Sequence, residues 1–107
     1  MLPGTRIVGP YGPKTSKIAL VGEAPGAEEE RLGEPFVGPA GRVLDTALRH
    51  VGLRRQDCYI TNVMQVRPPR NDFGTFYHGT QPTPELLEGI ERLGQELAQV
   101  KPNVIVA

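Results

Sequence analysis

Short apolar runs recur along this chain and are separated by longer polar or amphipathic segments. Residues 17–21 form the first run, which ends at Gly22, and this is the pattern of a buried strand. Residues 58–61 form a second run that ends at Asn62, and residues 103–107 begin a third. The pattern therefore predicts three strands, each with its side chains inside a core.

Two amphipathic helices are predicted between these strands. The first covers residues 40–51, ends at Gly52, and has its apolar face at Leu44, Ala47, Leu48 and Val51. The second begins with Thr83 as the N-cap and Pro84 as the first helical residue. Its apolar stripe consists of Leu86, Ile90, Leu93, Leu97 and Val100.

The order strand–helix–strand–helix–strand predicts an α/β fold with three layers, α/β/α, around a central parallel sheet. We expect residues 1–107 to form a single, partial domain in which residues 1–16 are an irregular N-terminal arm. Two helices barely cover a parallel sheet, and residues 103–107 form a core strand that nothing follows. This uncovered strand could pair with a second copy of the chain, so a homo-oligomer is one expected state.

Composition narrows the classes of function. Twelve Lys and Arg balance twelve Asp and Glu, so DNA binding would need a local basic cluster rather than an overall positive field. No run approaches the roughly 20 apolar residues that span a bilayer, and the N-terminus lacks a signal-peptide pattern. A single cysteine, Cys58, excludes an internal disulfide and a metal site built from several thiolates, and we expect it to be a small core residue in a cytoplasmic protein.

Residues that could take part in catalysis or ligand binding follow the first two strands. Ligands of open parallel sheets bind beyond the carboxyl ends of the strands, so Glu23 and Asn62 should lie near each other. Glu23 could orient a water or stabilise a developing cation, or it could be a solvated loop residue. Asn62 could bind a ligand or cap its own turn. Phe36, in a loop rich in Gly and Pro, could be a core ring or could stack on a flat ligand.

The other titratable groups are not predicted to take part in catalysis or metal binding. The acidic run Glu28-Glu29-Glu30 fits a solvated face or the first turn of a short helix. His50 and His78 have no partner at metal-ligand spacing, so no metal site is predicted. Arg67 and Arg70 could contact phosphates or could be solvated loop residues.

Four segments, taken in order and spacing, resemble the family 4 branch of the uracil-DNA glycosylase superfamily. They are Gly22-Glu23-Ala24-Pro25-Gly26, Gly33-Glu34-Pro35-Phe36-Val37-Gly38-Pro39-Ala40-Gly41, Tyr59-Ile60-Thr61-Asn62-Val63 and Arg67-Pro68-Pro69. The resemblance implies a truncated half of a uracil-DNA glycosylase-like fold. It also implies a base excision repair hydrolase that flips uracil out of DNA and cuts its N-glycosidic bond.

The resemblance also implies roles for single residues. Glu23 would be the catalytic carboxylate that serves the water and the cationic sugar, Phe36 would stack on the flipped base, and Asn62 would read the edge of uracil. Gly22, Ala24 and Gly26 would complete the substrate-binding set, because glycines allow a close approach of backbone N–H groups.

The chain departs from the family in two respects. Family members typically carry four cysteines that hold a 4Fe–4S cluster, one of them just before the Arg-Pro-Pro, whereas this chain has Val66 there and only Cys58, so no cofactor is expected. The family's histidine-containing loop, which follows a later strand, falls beyond Ala107, so we expect the chain alone to be weakly active or inactive. Two other hypotheses stay open: a non-catalytic nucleic-acid or nucleotide-binding module that keeps the uracil pocket, and an interaction module that pairs through its exposed third strand.

Overall fold

A parallel three-stranded sheet lies at the centre of the computed structural model, which describes residues 6–107. In chain order the elements are β1 (Ile18–Gly22), α1 (Ala27–Leu32), α2 (Pro39–His50), β2 (Tyr59–Asn62), β3 (Tyr77–His78), β4 (Gln81–Pro82), α3 (Pro84–Val100) and β5 (Val104–Val106). The sheet has the order β2-β1-β5, while β3 and β4 form a separate antiparallel hairpin. The predicted α/β fold with a central parallel sheet is confirmed.

Alternate residues of the central strands face different helices. Leu20 and Ile60 pack with Leu48 of α2 in one hydrophobic cluster. Tyr59, one residue away, points to the other face, where its hydroxyl donates to Glu96 of α3 at 2.7 Å. The two long helices therefore cover opposite faces of the sheet, which gives the three layers that the order of elements predicts.

The helix boundaries agree closely with the apolar periodicity, but the burial of the helices does not. Thr83 caps α3 by accepting the N–H of Leu86 at 3.3 Å, as predicted. However, Ala47, Val51 and Ile90 were predicted to face the core and are exposed, Ile90 with 50% of its surface accessible. The apolar faces read from the sequence are therefore wider than the part of each helix that is buried in the structure.

Strand β5 lies at the edge of the sheet and pairs with β1 through the register Ile18↔Val104. Its three residues, Val104, Ile105 and Val106, are each about half exposed, at 51%, 52% and 50%. This is the uncovered strand that the sequence predicts.

Of the predicted irregular arm, residues 1–5 lie outside the described residues. In the described part, Val8 is buried and its N–H donates to the carbonyl of Gln65 at 2.7 Å. Tyr11 forms an isolated antiparallel bridge with Ile60. These contacts attach the arm to β2 and to the loop that follows it.

Candidate functional site

The carboxyl ends of β1 and β2 form the base of the candidate site. Gly22 and Asn62 are register partners, so they lie side by side at this edge of the sheet. The pairing continues beyond the strands, because Val63 N–H donates to the Gly22 carbonyl and Met64 N–H donates to the Glu23 carbonyl, both at 2.9 Å. The residues that follow each strand are thus held together by backbone hydrogen bonds.

A cavity of about 420 Å³ opens at this edge, and we call it the edge cavity. Its volume lies within the range of about 300–1,000 Å³ that is usual for small-molecule sites. It is lined by Val21, Gly22, Glu23, Ala24, Glu29, Phe36, Ala40, Asn62 and Ala107. The structure therefore brings together Glu23, Phe36 and Asn62.

The amide of Asn62 and the ring of Phe36 meet above Gly22. A Cβ atom on Gly22 would lie 2.4 Å from Asn62 Oδ1 and 2.5 Å from Phe36 Cζ, so only glycine leaves room for both side chains. Asn62 is 4% exposed and its side chain lines the edge cavity. An amide that can donate and accept, set against an aromatic ring, suits a flat heterocyclic ligand.

Glu23 and Gly26 differ in their relation to this cavity. The side chain of Glu23 is exposed and lines both the edge cavity and a smaller neighbouring depression. Gly26 lines only the smaller depression, and its N–H donates to Glu29 Oε1 at 3.0 Å. The N–H that the sequence analysis offered to a ligand is therefore used within the protein.

Glu29 is a site residue that the sequence analysis missed. Besides Gly26, its carboxylate accepts the N–H groups of Val37 at 2.9 Å and Gly38 at 2.6 Å, and so joins the loop after β1 to the loop that carries Phe36. Burial acts to raise the pKa of Glu29, but the backbone N–H donors, led by that of Gly38, outweigh it and lower the pKa below 4.5. The acidic run lies in the first turn of the short helix α1, which confirms one of the two predicted alternatives. Glu29 adds a positioning role that was not predicted, although the capping-box spacing from Gly26 to Glu29 was an available signal.

Arg55 fixes the Phe36 loop from the other side. Its Nη1 donates to the Phe36 carbonyl at 2.8 Å and its Nη2 donates to the Pro35 carbonyl at 2.7 Å. Asp45 of α2 pairs with the same guanidinium at 3.1 Å, and the arginine side chain is only 16% exposed. Phe36 itself has a φ of +55°, a value that non-glycine residues seldom adopt, and Arg55 stabilises this backbone conformation.

Arg92 of α3 holds the end of β2 from the opposite face of the sheet. Its Nη2 donates to the carbonyls of Asn62 at 2.6 Å and Val63 at 2.8 Å, and its Nη1 pairs with Glu96. Glu96 also accepts the hydroxyl of Tyr59, and burial together with this carboxylate raises the pKa of Tyr59 well above its usual value. The backbone that carries the Asn62 side chain is therefore fixed by a charged network.

The predicted phosphate-binding arginines lie beside the smaller depression, in or next to a 3-10 turn at Pro69–Asn71. Arg67 donates to Asn71 Oδ1 at 2.7 Å and pairs with Glu30 at 3.8 Å, so part of its charge is balanced within the protein. Arg70 is exposed and has a φ of +57°.

The residues present do not fit the four-thiolate cluster that the family resemblance implies. Cys58 is the single cysteine, it is fully buried in the hydrophobic cluster under α2, and burial raises the pKa of its thiol. Within residues 6–107 no three His, Cys, Asp or Glu side chains are grouped so that they could hold a metal ion. Over the same range, no helix is both long and apolar enough to span a membrane.

Comparison with known proteins agrees with the motifs. A family model described as the uracil DNA glycosylase superfamily matches residues 10–107. A type-4 uracil-DNA glycosylase from Archaeoglobus fulgidus is 46% identical over 103 residues, which cover 95% of this chain and 48% of that protein. One from Thermotoga maritima is 41% identical over 104 residues, covering 96% of this chain and 50% of that protein. The chain spans about half the length of the curated relatives it matches.

Proposed function

Because the chain belongs to the uracil DNA glycosylase superfamily, we propose that it supplies the base-recognition part of a site that removes uracil from DNA. The reaction is hydrolysis of the N-glycosidic bond, which leaves free uracil and an abasic sugar. The observation that carries the proposal is the meeting of Asn62 and Phe36 above Gly22, in a cavity that Glu23 also lines.

Uracil would be recognised by its polar edge and by its flat face. The Asn62 amide can donate to O4 of uracil and accept from N3–H, whereas cytosine presents the opposite pattern and would leave these groups unpaired. Polar recognition of this kind can discriminate by roughly 10⁴-fold. Flipping the base costs a few kcal/mol, and stacking on Phe36 would return about 1–3 kcal/mol of that cost.

The chemical step would depend on Glu23. When the bond between C1′ of the sugar and N1 of uracil breaks, the electron pair leaves with the base, and the sugar becomes an oxocarbenium-like cation. The carboxylate of Glu23 would stabilise this cation and orient a water. The water oxygen then adds to C1′, and its proton is lost to the carboxylate or to the departing uracil anion.

The other predicted residues take supporting roles in this proposal. Gly22 and Ala24 shape the wall beneath the base, Gly26 lines the smaller depression beside it, and Arg67 and Arg70 contact DNA phosphates. The chain would form part of one domain, with residues 1–16 as its arm, and would act without a cofactor in the cytoplasm. We expect residues 1–107 alone to be weakly active or inactive, because the family's histidine loop would follow Ala107.

Binding and cleavage of uracil-containing single-stranded DNA test the proposal. We expect the protein to prefer a strand with one uracil over the same strand with cytosine, and the preference to disappear in Asn62→Ala and Phe36→Ala. Any alkali-labile cleavage should disappear in Glu23→Ala. Glu91→Ala, an exposed carboxylate on α3, is the matched control and should behave like the wild type.

Three outcomes separate the hypotheses. Binding with uracil preference but no cleavage, even with an excess of protein, would favour a non-catalytic binding module. Equal binding of uracil and cytosine strands in the wild type and all variants would contradict the proposed site. A stable oligomer that depends on β5, without DNA binding, would favour the interaction module, for which the half-exposed Val104, Ile105 and Val106 are the supporting observation.

A further inference from the structure

A second, smaller depression of about 190 Å³ lies directly beside the edge cavity, and we call it the side pocket. Its walls include Pro25, Pro68 and Phe73, with Asn71 beside them. Glu23 and Ala24 line both the side pocket and the edge cavity. We propose that the side pocket binds the base of the nucleotide that adjoins the uracil in the same strand, an inference that rests on the proposed function.

The side pocket and the edge cavity adjoin each other. Because the two cavities share Glu23 and Ala24, a ligand in one lies next to the other. Successive nucleotides of a strand are covalently joined, so a strand that places one base in the edge cavity brings a neighbouring base to the side pocket. At about 190 Å³ the side pocket lies below the range of about 300–1,000 Å³ that is usual for an independent small ligand, so it would take part of a ligand that is already held in the edge cavity.

The residues that line the side pocket suit the face of a base. The phenyl ring of Phe73 offers an apolar surface for the face of a base, and Pro25 and Pro68, which are mostly buried, lie beside it. Stacking on an aromatic ring is tolerant of sequence because every base has a π-face. Asn71 adds a polar group. Since Arg67 Nε donates to Asn71 Oδ1 at 2.7 Å, the amide nitrogen of Asn71 is left as its side-chain donor.

Phe73 is held in a fixed position by its neighbours. Its ring packs edge-on against Phe76, with ring centroids 5.2 Å apart. Asp72, which precedes it, caps the 3-10 turn by accepting the N–H of Gly74 at 2.9 Å. Phe73 is half-buried, so the ring is held by the protein and also lines the side pocket. A ring held in this way can stack on a base with little loss of side-chain entropy.

Fluorescence anisotropy with three short single strands tests the inference on the 107-residue chain. Each strand carries one central uracil; one keeps both neighbouring bases, one lacks the base on the 5′ side, and one lacks the base on the 3′ side. We expect removal of one of the two neighbours, and not the other, to weaken binding by about 5- to 100-fold, which is the range for one base–aromatic stack. The side on which removal of the base weakens binding shows in which direction the strand runs across the two cavities.

Variants identify the ring responsible. Phe73→Ala and Phe73→Leu should both lose this affinity for the complete strand and lose nothing further on the strand that lacks the critical base. Leucine fills the loop without a ring, so it separates stacking from folding of the loop. Ile90→Ala is the control, because Ile90 is half-exposed on α3 and lines neither the side pocket nor the edge cavity.

Failure of this inference is distinguishable from failure of the proposed function. If the wild type prefers uracil to cytosine but binds all three strands equally, the side pocket does not bind a base. If Phe73→Leu weakens binding of the complete and baseless strands to the same extent, the ring acts only on the loop and the inference is wrong. The third outcome is that the protein shows no preference for uracil, yet removal of one neighbouring base weakens binding and Phe73→Leu abolishes that difference. In that case the proposed function fails and the base-binding pocket stands.

Discussion

Replacing Gly22 by alanine should disable uracil recognition with a single methyl group. The added Cβ would lie 2.4 Å from Asn62 Oδ1 and 2.5 Å from Phe36 Cζ, whereas ordinary contacts begin at 3.4 Å. Restoring ordinary contacts requires a movement of about 1 Å, and a misplacement of this size can cost about 10²-fold in function. Gly22 is not among the glycines with positive φ, so the backbone accepts alanine and the effect is steric.

The cost in stability should be smaller than the cost in function. Forcing one methyl group into a filled space typically destabilises a protein by about 1–3 kcal/mol. We therefore expect Gly22→Ala to remain folded, with a lowered free energy of unfolding in urea. The affinity ratio between uracil and cytosine strands, measured by anisotropy, should fall by about 10²-fold or to the limit of one.

Gly94→Ala is the matched control for this change. Gly94 lies in α3, and a Cβ there would meet nothing within 4 Å. Alanine at this position should stabilise the helix by up to about 1 kcal/mol and leave DNA binding unchanged. A Gly22→Ala protein that keeps the wild-type preference for uracil would show that Asn62 and Phe36 do not read the base from their present positions.

Three further predictions concern the groups around the site. Glu29→Gln should destabilise the protein by about 1–3 kcal/mol at neutral pH, because the charged acceptor of three backbone N–H groups is lost. Since folding lowers the Glu29 pKa from 4.5, the wild type has this stabilisation above pH 4.5 and loses it as the pH falls further, so thermal melts of the two proteins should converge in acid. Arg92→Met should cost about 1–3 kcal/mol in urea unfolding, because carbonyls that it caps are left unpaired, whereas exposed Arg49→Met should cost almost nothing. Cys58 should react with a thiol reagent only as fast as the protein unfolds, because the thiol is buried and its pKa is raised; rapid reaction in native buffer would contradict this placement.

The sequence predicts well those features that depend on neighbouring residues. Thr83 followed by Pro84 is a local helix start, and the apolar runs place all three parallel strands to within one or two residues. The nearness of Gly22 to Asn62 also follows from the sequence, because the carboxyl ends of adjacent parallel strands share an edge. The helix α1 and the hairpin β3–β4 are too short for apolar periodicity to reveal.

The groups that support the site could not be predicted in the same way. Arg55 and Arg92 bind backbone carbonyls that lie 19 to 30 residues away along the chain, and a carbonyl is common to every residue, so no sequence pattern marks the partner. The exposure of Ile90 and Val51 depends on which distant residues pack against each helix, and local periodicity does not report this.

Glu29, Arg55 and Arg92 all form hydrogen bonds to main-chain atoms around the site. The backbone at Phe36 and Asn62 is held by these contacts, in addition to the packing of the Phe36 ring against the hydrophobic cluster. We therefore expect the backbone framework to tolerate other side chains of similar size at these two positions. Libraries restricted to them are a rational starting point for redirecting the scaffold toward other modified bases.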